Sequence, residues 1–351
     1  PTLGVVLAKD YSKPTITEVA KHAGVALSSV SRVLNNHADV SSSMRDRVLS
    51  AAAELGYKPN LLASGLRSGS THTVGFLISD ISNPLFGNIT WGAERTLDLA
   101  GYSMILANSE GDPERDVRMI RLLKQRRVDG LILSVADDRT TSTSNELNDV
   151  SIPIVLVDRQ LEDMPNASAI LTNHSAGVRA GTEHLLALGH RRIALLTGPE
   201  SLRPSRDRAS GINSAFEATG AHHDRFLRRH IDFSAAAGTS TLLELLGSPD
   251  PPTAVICGSN VILVGVLRAL KYRELKVGTD IALIACDDIP LTELHDPPIT
   301  VIARDTTRIG ELSASLLISL MNDPSNHPRN VILPTRLIVR DSTCPPATSH
   351  H

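Results

Sequence analysis

The chain has 351 residues, 41% of them hydrophobic, enough to bury more than one sizeable core, yet it holds no unbroken apolar run of membrane-spanning length. Its three cysteines, Cys257, Cys286 and Cys344, are odd in number and widely spaced, which suits neither a disulfide framework nor a zinc site; no metal and no cofactor is expected, and a reducing cytoplasm fits. The formal net charge of −3 is uneven, because residues 13–70 carry seven Lys/Arg against four Asp/Glu: a small basic module precedes a larger acidic body. By itself that excess describes a solvated helical surface as well as it describes a nucleic-acid site.

Near the start, "LGVVLA" is apolar but has no basic stretch before it and no cleavage site after it, so residues 1–13 are expected to be a disordered tail rather than a secretory signal. Thr15 and Glu18 then have the spacing of a capping box, Ile16, Val19, Ala20 and Ala23 form an apolar stripe, and Gly24 stands where a short helix would end. In "VALSSVSRVLN" the residues Val30, Val33 and Leu34 share one face of a second helix, while Leu27, Ser28, Ser31 and Arg32 project elsewhere. A third helix is predicted from Ser41 through Met44, Val48, Ala52 and Leu55 to Gly56. Two short helices separated by "AGV" and completed by a third make the pattern of a helix-turn-helix, whose second helix enters the DNA major groove. An ordinary helical subdomain has the same periodicity.

The next segment, "YKPNLLASGLRSGS", favours DNA. Pro59 and Asn60 can open a helix, but it is barely two turns long and contains Gly65, which costs roughly 1 kcal/mol relative to Ala. Such a helix does not hold alone. It suits a linker that orders only against a partner, with Leu66 as an apolar wedge and Arg67 near phosphates.

From Thr73 onward apolar, β-rich runs alternate with helical stretches: "TVGFLI", "YSMILAN", "DGLILS", "PIVLVD", "RIALLTG", "AVICGS" and "IALIACD". The alternation predicts parallel sheets covered by helices on both faces. The runs end at Asp80, Asn108, Ser134, Asp158, Gly198, Ser259 and Asp287, and ligands of open α/β sheets sit beyond such strand ends. These strands are too many for one comfortable sheet, so two lobes with a polar cleft are expected.

The chain strongly resembles the lactose and galactose repressor (LacI/GalR) family of bacterial transcription regulators. The match is carried by "TITEVAKHAGVALSSVSRVLNN", "VSSSMRDRVLSAAAELGYKPN", "LASGLRSGSTHTVGFLI", "RRVDGLIL", "GHRRIALLTGP", "IACDDIP" and "LPTRLIVRDST", in the family's order and spacing from Pro14 to Pro345. The resemblance implies an N-terminal three-helix helix-turn-helix domain plus an α/β two-lobed, periplasmic-binding-protein-like core with parallel sheets. It divides the chain into a DNA-binding domain (14–57), a hinge helix and linker (58–72), an N-terminal lobe (73–160 and 303–331) and a C-terminal lobe (161–302 and 332–345), with crossings near Arg159, Val301 and Val331.

Carried over one position at a time, the resemblance puts Leu27, Ser28 and Arg32 at base-reading positions and Thr15, Ser29, Ser31 and Asn35 at backbone-contacting ones, with Thr17, Asn60 and Ala63 also in the DNA-facing set. Arg32 is the candidate for a bidentate guanine contact, a type that is typically worth about 1 to 3 kcal/mol of discrimination. Leu66 matches the leucine that enters the minor groove at the operator centre. Two residues depart from the family: Ala26 replaces the usual serine cap of the second helix, and Ser64 stands where many members carry Arg.

The same procedure selects Phe86, Asp158, Arg208, Phe233 and Asp287 for the effector: two aromatic walls for a sugar ring or base, and two carboxylates and a guanidinium for hydroxyls or amides. Bland alternatives stand beside each, namely core packing for the phenylalanines, a turn cap for Asp287 and a surface ion pair for Arg208. Ser259 and Asn260 replace the family's frequent Asn-Asp pair, exchanging a charged acceptor for a neutral amide. Arg203 and Arg206 flank Arg208 in "RPSRDRASG", which is read as a loop; Arg206 joins the effector set, and an anionic effector such as a sugar phosphate is a hypothesis beside solvated surface arginines.

No G-x-S-x-G elbow, P-loop, H-E-x-x-H or metal-spaced Cys/His cluster occurs, so catalysis is not expected. The expectation is a homodimeric, cytoplasmic, nucleoid-associated repressor that binds double-stranded operator DNA and a small effector (a sugar, sugar phosphate or nucleobase-like molecule) and has no membrane association. The alternative is a sugar receptor of the periplasmic-binding-protein type without a role on DNA, for which residues 15–67 would have no use. The end, "CPPATSHH", has no leucine heptad, so a coiled-coil tetramerisation segment is not expected.

Overall fold

The computed structural model describes residues 14–34, 37, 39–57, 70–164, 167–220, 226–323, 325 and 327–346. The expected tail 1–13, Asn35, and Asn60, Ala63 and Leu66 of the linker lie outside the described residues. The chain divides into two compact units, Pro1–Thr71 and His72–His351.

The first unit contains α1 (Ile16–Ala23), α2 (Leu27–Leu34) and α3 (Ser42–Glu54). Thr15 starts α1 with a capping box: the Glu18 N–H donates to Thr15 Oγ1 at 3.3 Å, and the Thr15 N–H donates to Glu18 Oε2 at 2.6 Å. Gly24 ends it at φ 61°, a left-handed conformation that lets the chain turn tightly into α2. Val19, Val30, Val33, Val48, Ala51 and Ala52 are buried together and set the angles between the three helices. His22 Nε2 lies 2.7 Å from Glu54 Oε2 and ties α1 to α3 at the surface.

The second unit has strands β1 (Thr73–Ile78), β2 (Ser103–Asn108), β3 (Gly130–Leu133), β4 (Ile154–Val157), β5 (Ser168–Thr172), β6 (Ile193–Thr197), β7 (Phe226–His230), β8 (Ala254–Cys257), β9 (Ala282–Cys286), β10 (Thr300–Ala303), β11 (Asn330–Leu333) and β12 (Arg336–Ile338). Between them run α4 (Pro84–Leu99), α5 (Pro113–Gln125), α6 (Thr141–Asn148), α7 (His174–Ala187), α8 (Arg203–Thr219), α9 (Ala235–Leu246), α10 (Asn260–Tyr272), α11 (Pro290–Leu294) and α12 (Thr306–Asn322). The strands form two six-stranded sheets, ordered β11-β5-β4-β3-β1-β2 and β12-β10-β9-β8-β6-β7, parallel except where β12 runs antiparallel to β10. Most interior strands are buried along their whole length, as expected of parallel sheets with helices on both faces.

The sheets place the lobe boundaries differently from the sequence reading. β5, expected in the C-terminal lobe, pairs with β4 and β11 in the first sheet, so the first crossing follows Thr172 rather than Arg159. The polar stretch after Arg159 resembles an exit from the lobe, but "SAILT" returns to satisfy the open edge of β4 and is buried throughout. The second crossing follows Ala303, and the third follows Leu333, since β11 also stays in the first sheet.

Helices within each lobe meet at glycines. A Cβ on Gly310 of α12 would stand 1.9 Å from the carbonyl oxygen of Ile89 in α4, and one on Gly92 would stand 2.3 Å from that of Thr307. Helix propensity alone favours Gly310→Ala by roughly 1 kcal/mol. The backbone contact opposes it, and we expect a net loss of about 1–3 kcal/mol, read as a lower urea midpoint. A raised midpoint would show that α4 and α12 separate more easily than this contact implies.

Candidate functional site

Strand ends of both sheets line a cavity of about 420 Å³ between the lobes. The first lobe contributes Asp80, Phe86, Ser134 and Asp158; the second contributes Arg208, Asp232, Phe233, Ser259 and Asp287; Arg304 comes from the second crossing. Asp158 and Asp287 occupy equivalent places. Each follows a central strand with positive φ (53° and 72°), and each donates its N–H to the neighbouring strand, Asp158 to Ile170 O at 2.8 Å and Asp287 to Ile302 O at 3.0 Å. Aspartate tolerates this backbone better than most residues because its side chain is short and polar.

Arg304 joins the two carboxylates. Its Nε donates to Asp287 Oδ1 at 2.6 Å, and its Nη1 donates to Asp158 Oδ2 and to Thr172 Oγ1. Asp158 also accepts the Thr172 N–H at 2.8 Å and faces His174 Nε2 at 3.2 Å. Burial alone would raise the Asp158 pKa, but Arg304 and His174 outweigh it and hold the carboxyl well below its usual range. Burial and the nearby Arg208 push His174 down to about 4 against the pull of Asp158, so its ring is neutral at physiological pH. Burial opposes the charge on Arg304, and Asp287 and Asp158 more than restore it, raising its pKa.

Sequence reasoning missed Arg304, although it ends the run "ITVIAR" as Asp158 ends "PIVLVD". Arg159 was also missed; it is buried and donates to Val135 O at 2.6 Å and Asp158 O at 3.0 Å.

The expected effector residues divide into two groups. Phe86, Asp158, Arg208, Phe233, Ser259 and Asp287 line the cavity. Phe86 also packs into the first lobe's core. Phe233 lies so close over Gly198 that a Cβ there would meet its ring at 2.1 Å. Arg208 is buried with its Nε lacking a hydrogen-bond partner, whereas Ser259 caps α10 by accepting the Ile262 N–H at 3.2 Å. Asn260 is buried with both side-chain polar atoms unpartnered, but it does not reach the lining.

Arg206 does not line the cavity. Its Nη1 donates to Glu200 O at 3.0 Å and to Ser201 O, and its Nη2 lies 3.5 Å from Asp138 Oδ2. Arg203 pairs with Asp207 at 2.8 Å. The cause is the helix: "RPSRDRASG" is the first turns of α8 rather than a loop, and residues two apart on a helix point to different faces. Among the described residues, the lining holds five carboxylates and three guanidiniums, which disfavours an anion.

In the first unit Ser28 and Arg32 are exposed on α2, opposite the buried Val30 and Val33, and Leu27 is exposed at its start; Ser29 and Ser31 are half-buried. Arg32 is ion-paired with Asp39. Thr15 is committed to its capping box, and Thr17 is exposed beside it. Among the described residues no group of His, Cys, Asp or Glu has the arrangement of a metal site, and no helix is long and apolar enough to cross a membrane.

Residues 15–60 match the model of the bacterial regulatory proteins of the lacI family, and residues 182–343 match a periplasmic binding protein-like domain. The ribose operon repressor of Escherichia coli strain K12 is 35% identical over 328 residues, covering 93% of this chain and 99% of the relative. The crystal structure of the lac repressor dimer bound to operator and the anti-inducer ONPF superimposes with a TM-score of 0.84 at 29% identity, over 95% of this chain and 100% of the other. A LacI family transcriptional regulator from Enterococcus faecium with bound ribose gives 0.70 at 29% identity, over 78% of this chain and 100% of the other.

The loop that brings Ser134 to the cavity depends on Asp116, which is wholly buried and accepts the Ala136 N–H at 2.6 Å. Burial pushes its carboxyl up to about 6 from the ordinary 3.8. Between these pH values the folded protein keeps a proton that the unfolded chain has released, so this contribution to stability is greatest in acid and falls as pH rises through about 6. Asp116→Asn cannot ionise and keeps an acceptor for Ala136. Its stability relative to wild type should therefore grow by roughly 1–3 kcal/mol between pH 4.5 and 7.5, measured by urea unfolding. Parallel stability curves would mean that Asp116 titrates normally.

Proposed function

We propose, from the premise that this chain belongs to the lacI family of bacterial regulatory proteins, that it is a sequence-specific transcriptional repressor controlled by a neutral sugar bound between its lobes. The observation that carries the effector reading is the charge of the cavity lining: five carboxylates against three guanidiniums disfavour an anion, and Arg304 already neutralises part of the charge of Asp158 and Asp287 while the lining still offers hydrogen bonds. Arg203 and Arg206, which would have favoured a phosphate, are engaged with Asp207 and Asp138. Phe86 and Phe233 supply flat apolar surface of the kind that receives a sugar ring. Ribose is the first sugar to test, because relatives are ribose operon repressors and one neighbour holds ribose.

On DNA, a homodimer would set one α2 in each half-site of a near-palindrome, with Leu27, Ser28 and Arg32 toward the bases and Thr15, Thr17, Ser29 and Ser31 toward the backbone. Asn35, Asn60, Ala63 and Leu66 complete the proposed set. Effector binding would change the angle between the lobes, and residues 58–72 would carry that change to DNA affinity. The protein would act in the cytoplasm at the nucleoid and perform no catalysis. A receptor without a DNA role leaves the buried three-helix core and the exposed polar face of α2 without a purpose.

Isothermal calorimetry against ribose, other pentoses, hexoses and their phosphates tests the effector reading. Arg208→Ala should abolish measurable sugar binding while leaving operator affinity without sugar within about threefold. Tight binding of a sugar phosphate in preference to the free sugar would overturn the neutral-ligand reading. For DNA, sites selected from a random pool serve as probes. Arg32→Ala should lose about 1–3 kcal/mol at them and accept any base at one position of each half-site. An unchanged selected sequence would exclude Arg32 as the base reader.

A further inference from the structure

We propose that Asp138 is a positioning residue for effector binding: carried by the first lobe, it caps the helix of the second lobe that bears Arg208, and so ties the affinity of the cleft to its closure. The inference rests on the cleft being the effector site.

A helix start leaves N–H groups without partners, and Ser, Thr, Asp or Asn just before it normally accept one. α8 has Leu202 in that place and no side-chain cap of its own. The acceptor comes from the other lobe, since Asp138 Oδ2, in the loop after β3, takes the Arg203 N–H at 2.5 Å. The same oxygen faces Arg206 Nη2 at 3.5 Å, and the Asp138 side chain is fully buried. The Arg203 guanidinium reaches Thr172 O, at the end of β5 just before the first crossing, at 3.3 Å. The helix that carries Arg208 is thus fastened at its first turn to the lobe it faces.

The loop holding Asp138 is itself fixed: Asp116 accepts the Ala136 N–H, and the Asp138 carbonyl accepts the Glu162 N–H at 3.3 Å. If the lobes part, α8 loses its cap and Arg206 its carboxylate in the same movement. A ligand that needs both lobes binds with an apparent affinity scaled by the fraction of molecules already closed. Asp138 raises that fraction without touching the ligand, because it is absent from the cavity lining.

The test uses the full-length chain, with ribose as the probe in calorimetry and hydrogen exchange followed without sugar. Asp138→Ala should weaken ribose binding about tenfold, and Asp138→Asn less, because an amide oxygen still accepts the Arg203 N–H. The double variant Asp138→Ala/Arg206→Ala should bind no more weakly than Asp138→Ala alone. Without sugar, amides 203–206 and those of the facing loop 134–139 should both exchange faster in Asp138→Ala. A purely local cap would free only the former, and that pattern would overturn the proposal. Unchanged affinity and exchange in both Asp138 variants, or additive losses in the double variant, would also overturn it. If ribose does not bind the wild type, ribose falls as the effector, and the exchange pattern still decides the role of Asp138.

Discussion

Arg304 is the charge on which the two-lobed unit depends. It stands on the second crossing, with one carboxylate from each lobe within reach: Asp158 at the end of β4 and Asp287 at the end of β9. Removing three ionised groups from water costs several kcal/mol apiece, and such a cluster survives only with good geometry and additional hydrogen bonds. Those bonds come from the Thr172 N–H and hydroxyl and from His174. The arrangement opposes intermediate lobe angles: a carboxylate that moves away from Arg304 must either reach water or remain buried without its counter-ion, at a much higher cost. A hinge built this way has discrete positions, which a molecular switch requires.

The same economy shapes the cavity. Arg159 spends its donors on Val135 and Asp158 carbonyls and Arg304 on two carboxylates, while the Ser259 hydroxyl oxygen accepts the Ile262 N–H at the start of α10. Arg208 is different, because its Nε is buried and unpartnered. A buried donor without an acceptor carries a desolvation penalty, which sets Arg208 apart from the other arginines of the lining. Under the proposed function a ligand hydroxyl or ring oxygen would offset it without adding charge to a lining already richer in carboxylates.

Much of the fold was legible because local and global signals agree in it. Every apolar run singled out in the sequence became a strand, and the polar residues ending those runs reached the cavity at Asp80, Ser134, Asp158, Ser259 and Asp287. Strands with weaker patterns escaped: β5 is five residues long beside a polar stretch, and β7 is an edge strand interrupted by Arg228 and Arg229. Arg304 escaped for another reason. Its partners lie 146 and 17 residues away in sequence, and no periodicity within one chain pairs them. Arg206 was misplaced because its nearness to Arg208 suggested a common purpose, whereas a helical backbone sends the two side chains apart.

The proposed DNA-facing helix carries an intramolecular pair that a base contact would have to displace. Arg32, in the proposed base-reading position, is held by Asp39 in the free protein. Both side chains are more than half exposed, and a pair of this kind is worth about 0.2–1 kcal/mol. A bidentate contact with guanine discriminates by about 1–3 kcal/mol, so exchanging Asp39 for the right base is favourable. Exchanging it for a wrong base, which offers at most a single poorly aligned acceptor, gains little or nothing. Asp39 also brings a negative charge toward the phosphates, which subtracts from the sequence-independent attraction. A pair broken at every site costs the matched half-site as much as any other, and one kept closed at random sites costs those nothing, so under the proposed role the pairing lowers affinity and discrimination comes from the guanine contact itself.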